Sequence, residues 1–268
     1  MLPLLKFTLF GFNQSVSLYN LMIGIGLVVG FIILENTAKS LGISKSNHDT
    51  IMVIVAVSML LGFVFAAIFD KAYHANNFQS FCSSLRKYTG MTFEGGLVGG
   101  ILVFFITYII VNKTTNDITK SLNCITPSVI LAHFFGRIGC FLGGCCFGKP
   151  TDMPVGVCFP DGSLAAQVYG KGVKVFPTQL IEAGFLLIAF FIIRFLLMQH
   201  SFSCYLILYG IARFLIEFLR GDDRRTIIQT FISPSQVVSL MMLTSGIVIF
   251  YYGFKKRQKE SGTGYLAK

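Results

Sequence analysis

The chain has 268 residues, of which 54% are hydrophobic and only 13% are charged. A soluble domain usually carries about a quarter charged residues, so this composition excludes disordered, collagen-like and ordinary cytosolic proteins. The net charge of +10 would suggest nucleic acid as the partner of a soluble protein. In so apolar a chain we expect membrane lipids with anionic headgroups instead, and no nucleic acid.

Seven apolar stretches are long enough to cross a membrane as helices, since a span needs about 20 residues. They are residues 17–35, 50–69, 92–112, 125–147, 178–198, 203–219 and 235–253. The longest connection, 148–177, is polar and contains glycine and proline. We therefore predict an all-α, polytopic membrane protein with about seven transmembrane helices around a polar, lipid-accessible cavity. Residues 1–268 are expected to form a single integral membrane domain.

The C-terminal tail sets the expected orientation. Lys255, Lys256, Arg257 and Lys259 follow the last span, and basic residues beside a span favour the cytoplasmic side. An odd number of spans then places the N-terminus on the opposite side. The N-terminus has one early basic residue, Lys6, and its apolar run begins late, so it is not expected to be a cleavable signal.

Two ionisable residues interrupt the sixth span, in YGIARFLIEFLRGDD (209–223). Arg213 and Glu217 are four residues apart and share one helix face. One interpretation is an ion pair that only holds helices together. The other is that Arg213 presents two parallel donors to a phosphate while Glu217 orients it, because a charge inside a membrane indicates function. Arg220, three residues further, adds a second cation.

A third arginine lies in HFFGRIGCFLGGCCFGKP (133–150). Arg137 has no acid within a helical turn, which favours an anionic ligand, with snorkelling to the interface as the alternative. The glycines of this segment are too frequent for an ordinary helix interior. They predict either a close approach of two helices or a broken helix beside a polar cavity.

Three further titratable residues have two interpretations each. Glu94, at the entrance of the third span, is either a general base or a solvated acid beside packing glycines. Glu182, shortly after the Pro177 that begins the fifth span, is interpreted as an acid in the first turn of a helix, with a site role as the alternative. His133 is expected to pack or to form hydrogen bonds rather than to catalyse.

The seven cysteines do not form a complete disulfide framework, because their number is odd. Cys140, Cys145, Cys146 and Cys158 share one glycine-rich segment, where packing, a role in catalysis or substrate positioning, and a disulfide or metal site all remain open. Adjacent cysteines without a CxxC spacing are awkward for a tetrahedral metal. We therefore assign no metal ligand and expect no cofactor.

Six segments, in this order, resemble the prolipoprotein diacylglyceryl transferase family of bacterial inner-membrane enzymes. They are SLYNLMIGIG (17–26), GMTFEGGLVGG (90–100), GRIGCFLGGCCFGKP (136–150), FPTQLIE (176–182), YGIARFLIEFLRGDD (209–223) and SPSQVVSL (233–240). The resemblance implies a seven-helix fold in the inner membrane. It also implies transfer of the diacylglyceryl group of phosphatidylglycerol to the cysteine thiol of a prolipoprotein, with release of glycerol phosphate. A non-catalytic lipid-binding protein or a lipid transporter is the alternative.

The resemblance also implies which residues act. The catalytic positions are Glu94, Arg137, Arg213 and Glu217, and the substrate-binding positions are Tyr19, Cys145, Arg220 and Gln236. Two departures concern the reacting centre. Glu94 stands where the family has a functional histidine, and Cys140, Gly143 and Cys145 replace two asparagines and a glutamate of the signature. The resemblance thus supports the lipid donor more strongly than the prolipoprotein acceptor, and another acceptor stays open.

Overall fold

The computed structural model divides the chain into two compact units. The first contains Met1–Thr37 and Leu122–Lys268, and the second contains Ala38–Ser121. The structure describes residues 4–9, 12–74, 79, 82–83, 93–111, 118–221 and 232–263. Each unit is built mainly of long apolar helices.

A helix occupies each of the seven stretches that were predicted to span the membrane. These helices are α1 (Leu18–Ser40), α2 (Lys45–His74), α3 (Phe93–Val111), α4 (Ile118–Gly143), α6 (Thr178–Leu196), α7 (Ser201–Glu217) and α8 (Pro234–Thr263), with a short α5 (Leu164–Tyr169) after α4. In the described part of the chain, five of them, α1, α2, α4, α6 and α8, are long and apolar enough to cross a membrane. The protein is therefore a multi-pass membrane protein, and the count of seven spans stays a prediction.

Two small antiparallel sheets accompany the helices of this all-α fold. Strand β1 (Leu4–Leu9) pairs with β2 (Phe12–Ser17) in an N-terminal hairpin. Within the long connection, β3 (Val157–Cys158) pairs with β4 (Lys174–Val175). The fourth predicted span, 125–147, was placed too far along the chain, since its helix begins at Ile118. Helix α4 ends at Gly143, because the next residue, a glycine, has the positive φ of 68° that terminates many helices.

The outward faces of the helices are apolar. Near the end of α6, Phe195 and Leu196 are 71% and 77% exposed, and the outward residues of the other long helices are mainly Val, Ile, Leu and Phe. Exposed apolar surface of this extent marks contact with lipid or another apolar phase. These faces therefore agree with the assignment as a membrane protein.

Small residues let the two long helices of the second unit approach each other closely. A Cβ added to Gly62 of α2 would lie 3.1 Å from the carbonyl oxygen of Gly96 in α3, and one added to Gly100 would lie 3.5 Å from that of Ser58. This is the small-residue packing that membrane helices use. Glu94 lies in the first turn of α3, and its side chain lies outside the described residues.

In the first unit, α4, α6 and α7 share an apolar core. Its fully buried members include Ile130, Leu186 and Ile193. A second, smaller core lies under the connection between α4 and α6, where Phe147 and Val175 are 1% exposed. The polar side chains that the next section describes belong to this same unit.

Candidate functional site

Arg137 of α4 is paired with an acid from another helix. Its Nη2 atom lies 2.9 Å from Oε1 of Glu182 in α6, which is 1% exposed. Tyr209 of α7 donates a hydrogen bond of 2.6 Å to the same carboxylate oxygen. Interpreting Glu182 as a first-turn acid was therefore wrong, since it lies beyond the first turn of α6 and is the buried counter-ion of Arg137.

His133 packs beside this pair. Its Nδ1 atom is 3.3 Å from the hydroxyl of Tyr205, and its ring meets the ring of Tyr209 edge-on at 5.0 Å between centroids. Its Nε2 atom lies 3.6 Å from Glu182, which is too far for a hydrogen bond. The position agrees with the predicted packing and hydrogen-bonding role of His133.

Tyr209, Arg213 and Glu217 form a polar stripe along α7, because residues four apart share a helix face. Nη2 of Arg213 lies 2.8 Å from Oε2 of Glu217 and donates to Oγ of Ser235 at 3.1 Å. Tyr209, the first residue of the stripe, donates its hydroxyl to Glu182, which also pairs with Arg137. The stripe thereby links the Arg213–Glu217 pair to the Arg137–Glu182 pair.

A capping box at the start of α8 orients Glu217. The backbone nitrogen of Ser233 donates to Oε1 of Gln236 at 3.0 Å, and that of Gln236 donates to Oγ of Ser233 at 3.2 Å. The Ser233 hydroxyl in turn donates to Oε1 of Glu217 at 2.8 Å. Gln236 was predicted to bind substrate, and here it caps the helix. Sequence reasoning missed Ser233, although the serine and glutamine spacing before an apolar run signals such a cap.

Backbone pairing holds Arg220 at the end of the stripe. Gly148 and Arg220 form an antiparallel bridge, and Lys149 donates its backbone N–H to the carbonyl of Leu219 at 2.8 Å. A Cβ on Gly148 would lie 2.7 Å from the Leu219 oxygen, so this crossing requires glycine. Arg220 is 5% exposed, and its Nε atom lies 3.9 Å from Oε2 of Glu217.

Tyr19 of α1 packs on the glycine-rich end of α4. A Cβ on Gly139 would lie 3.2 Å from Cδ2 of Tyr19 and 3.3 Å from Cβ of Met22. Of the two structures predicted for these glycines, the structure adopts the close helix approach, since α4 continues unbroken to Gly143.

Three cysteines meet where α4 ends, because the helix ends in a Schellman motif. Gly144 donates to the carbonyl of Phe141, and Cys145 donates to that of Cys140, both at 3.1 Å. The Sγ atoms of Cys140, Cys145 and Cys146 all lie within 4.8 Å of one another. In this thiol cluster, hydrogen bonding with Cys140 and then Cys145 lowers the pKa of Cys146, whereas hydrogen bonding with Cys140 and then Cys146 raises the pKa of Cys145.

Cys158 does not belong to the thiol cluster, although the sequence grouped it there. It is exposed in β3, and its thiol donates to the carbonyl of Gly172 at 3.2 Å. All cysteines in the described part of the chain are free thiols.

The structure brings together seven of the eight predicted site residues in the first unit. They are Tyr19, Arg137, Cys145, Arg213, Glu217, Arg220 and Gln236. Within the ranges that the structure describes, two carboxylates, those of Glu182 and Glu217, lie beside these arginines. Among the described residues, no hydrogen-bond acceptor reaches the buried Nε of Arg137 or the buried Nη1 of Arg213. The arrangement suits an anion.

Comparison with known proteins identifies similar chains over nearly the whole length. The family model for prolipoprotein diacylglyceryl transferase matches residues 7–252. A phosphatidylglycerol–prolipoprotein diacylglyceryl transferase of Clostridium tetani is 32% identical over 244 residues, which cover 89% of this chain and 94% of the relative. The second such transferase of Clostridium perfringens is 28% identical, with 94% and 96% covered. The Staphylococcus haemolyticus transferase is 30% identical, with 92% and 89% covered.

Proposed function

Because the chain belongs to the prolipoprotein diacylglyceryl transferase family, we propose that it moves the diacylglyceryl group of phosphatidylglycerol onto a thiol acceptor. Glycerol phosphate is the second product. The acceptor named for the relatives, a prolipoprotein, is the first acceptor to test here.

One observation supports the proposal that the site binds the phosphate of a lipid donor. Arg137 and Arg213 are held by buried carboxylates, yet each keeps a buried nitrogen without an acceptor among the described residues. A phosphodiester is an anion and supplies acceptors for both. Arginine is suited to this role because its planar fork presents parallel donors to phosphate oxygens.

The reaction breaks the bond between the sn-3 carbon of the donor and its phosphate oxygen. The acceptor thiolate attacks that carbon, a sulfur–carbon bond forms, and the electron pair of the broken bond stays on the phosphate. Negative charge therefore rises on the leaving group, and preorganised arginines in an apolar surrounding stabilise it. We assign removal of the thiol proton to Glu94, which stands where the family has a histidine.

A second function is favoured by one departure from the family signature. The signature glutamate is replaced by Cys145, whose thiol lies in the thiol cluster rather than in an acid–arginine pair. If the reacting centre were lost with that glutamate, the same arginines would bind phosphatidylglycerol without consuming it. The chain would then be a lipid-binding protein or a lipid transporter.

The decisive experiment incubates the purified full chain with phosphatidylglycerol vesicles and a peptide that contains a lipobox cysteine. Mass spectrometry should find a diacylglyceryl thioether on the peptide and an equal amount of glycerol phosphate. Arg137→Gln should abolish both products. Arg194→Gln is the matched control, because Arg194 also lies in a spanning helix but faces the ring of Phe195 at 6.0 Å. Binding of the lipid without either product would contradict the transferase assignment.

The proposal includes the bacterial inner membrane as location, with the C-terminus in the cytoplasm. Its support is the family together with the basic tail after α8. Single cysteines placed at the two ends should react with a membrane-impermeant thiol reagent from opposite sides. Labelling of both ends from one side would contradict this topology.

A further inference from the structure

We propose that Cys140, Cys145 and Cys146 form a binding site for a thiophilic d¹⁰ metal ion of the zinc class. This inference is independent of the proposed transferase activity. The sequence alone argued against a metal, because two of the three cysteines are adjacent and no CxxC spacing is present. In the structure, the way in which α4 ends brings all three sulfurs together in spite of this spacing.

The Schellman motif accounts for the first two thiols. Residues at the C3 and C″ positions of this motif meet across the last helical turn, and these positions hold Cys140 and Cys145. The thiol of Cys145 also points back over the helix end, 3.6 Å from the carbonyl oxygen of Cys140. A helix that ends in this way brings the two sulfurs together without any long-range contact.

The third thiol reaches the others through an uncommon backbone conformation. Cys146 has a φ of 61°, and in the described part of the chain it is the one residue other than glycine with a positive φ. A side chain rarely adopts this conformation unless the surrounding structure imposes it, and such residues concentrate at functional sites. The left-handed backbone turns the thiol of Cys146 to the same side as that of its neighbour.

The start of α6 holds this turn in place. Thr178 donates its hydroxyl to the carbonyl of Cys146 at 2.8 Å, and Gln179 donates its amide to the carbonyl of Cys145 at 2.6 Å. Both donors are 1% exposed. A second helix therefore holds both carbonyls in place. The positions of the three thiols thus depend on the packing of the fold and not on a freely moving loop.

The dimensions and charge suit a metal bound by three thiolates. Zinc–sulfur bonds of about 2.3 Å require the sulfurs to lie about 4 Å apart, and here all three lie within 4.8 Å. Binding releases the thiol protons, and three thiolates around a divalent ion carry one net negative charge. The field of Arg220 and Arg137 reaches Cys146 and offsets that charge. A fourth coordination position stays open, as in zinc sites with three protein ligands.

The test measures metal binding directly on the reduced full chain in detergent, after removal of bound metal. Titration with Co²⁺, followed by the sulfur-to-metal absorption in the near ultraviolet, should saturate at one ion per chain, and Zn²⁺ should displace it because it binds such sites more tightly. Cys140→Ser, Cys145→Ser and Cys146→Ser should each lose this stoichiometric binding. Cys158→Ser is the matched control and should keep it, because that thiol lies outside the thiol cluster.

A second measurement uses the unaltered chain, so that a variant that fails to fold does not decide the outcome. Zn²⁺ should protect Cys140, Cys145 and Cys146 from iodoacetamide, as read by peptide mass spectrometry, and should leave Cys158 reactive. Equal labelling with and without Zn²⁺ would overturn the proposal. A disulfide within the thiol cluster that forms in air and persists in the presence of Zn²⁺ would overturn it too, and would identify a redox pair instead.

Discussion

The Nη2 atom of Arg137 lies 2.9 Å from Oε1 of Glu182. This contact joins α4 to α6 and removes the main difficulty that the sequence raised, a membrane arginine without a nearby acid. Tyr209 adds α7 to the same carboxylate. Three helices therefore converge on one buried oxygen, and the position of Arg137 depends on all of them.

The buried pair can be tested by a double-mutant cycle. Removing one partner of a buried ion pair leaves an uncompensated charge, so Glu182→Gln should lower the free energy of unfolding by about 3–5 kcal/mol. The double variant with Arg137→Gln should lose less than the sum of the two single variants. Unfolding in mixed detergent micelles measures each value. Additive losses would mean that the two side chains do not interact in the membrane.

Arg213 should require the geometry of arginine and not only its charge. Arg213→Lys keeps the charge but cannot present two parallel donors, so turnover should fall by about 10²–10³-fold, the loss typical of one transition-state donor. Arg194→Lys is the control, and its turnover should remain near that of the unaltered chain. Initial rates of glycerol phosphate release provide the measurement. Equal rates for both lysine variants would mean that Arg213 does not act on the donor phosphate as an arginine.

Glu94 is tested by a substitution that keeps its shape. If this carboxylate removes the thiol proton, Glu94→Gln should lower turnover by about 10²–10⁴-fold, the usual loss for a general base. Binding of phosphatidylglycerol should be unchanged, because the arginines hold the donor. Full activity of Glu94→Gln on lipobox peptides would show that the family's histidine position is dispensable in this chain.

Two glycines of the first unit form a matched pair for testing the contact between α1 and α4. Gly139→Ala places a methyl group 3.2 Å from the Tyr19 ring, so the ring must move, and both thermal stability and turnover should fall. Gly24→Ala meets nothing within 4 Å and should be neutral or slightly stabilising, because alanine favours a helix. Thermal inactivation and initial rates compare them. Similar behaviour of the two variants would mean that Tyr19 has no defined position.

The positions of the helices followed from the sequence because the cost of placing polar groups in lipid acts on each span separately. Local patterns also pointed to the pairing of Arg213 with Glu217, since residues four apart always share a helix face. The capping box at Ser233 and the Schellman motif at Gly144 are equally local, and sequence reasoning had the means to predict both.

Only the tertiary structure decided which charges meet across helices. Arg137 and Glu182 are 45 residues apart, and their contact depends on how α4 and α6 pack, which no single-helix pattern specifies. The same holds for the thiol cluster. Its third member, Cys146, joins through a left-handed backbone that is held by hydrogen bonds from the start of α6. Hydropathy and helix periodicity act within one segment, whereas a buried ion pair or a strained turn is stable only when a second segment supplies its partners.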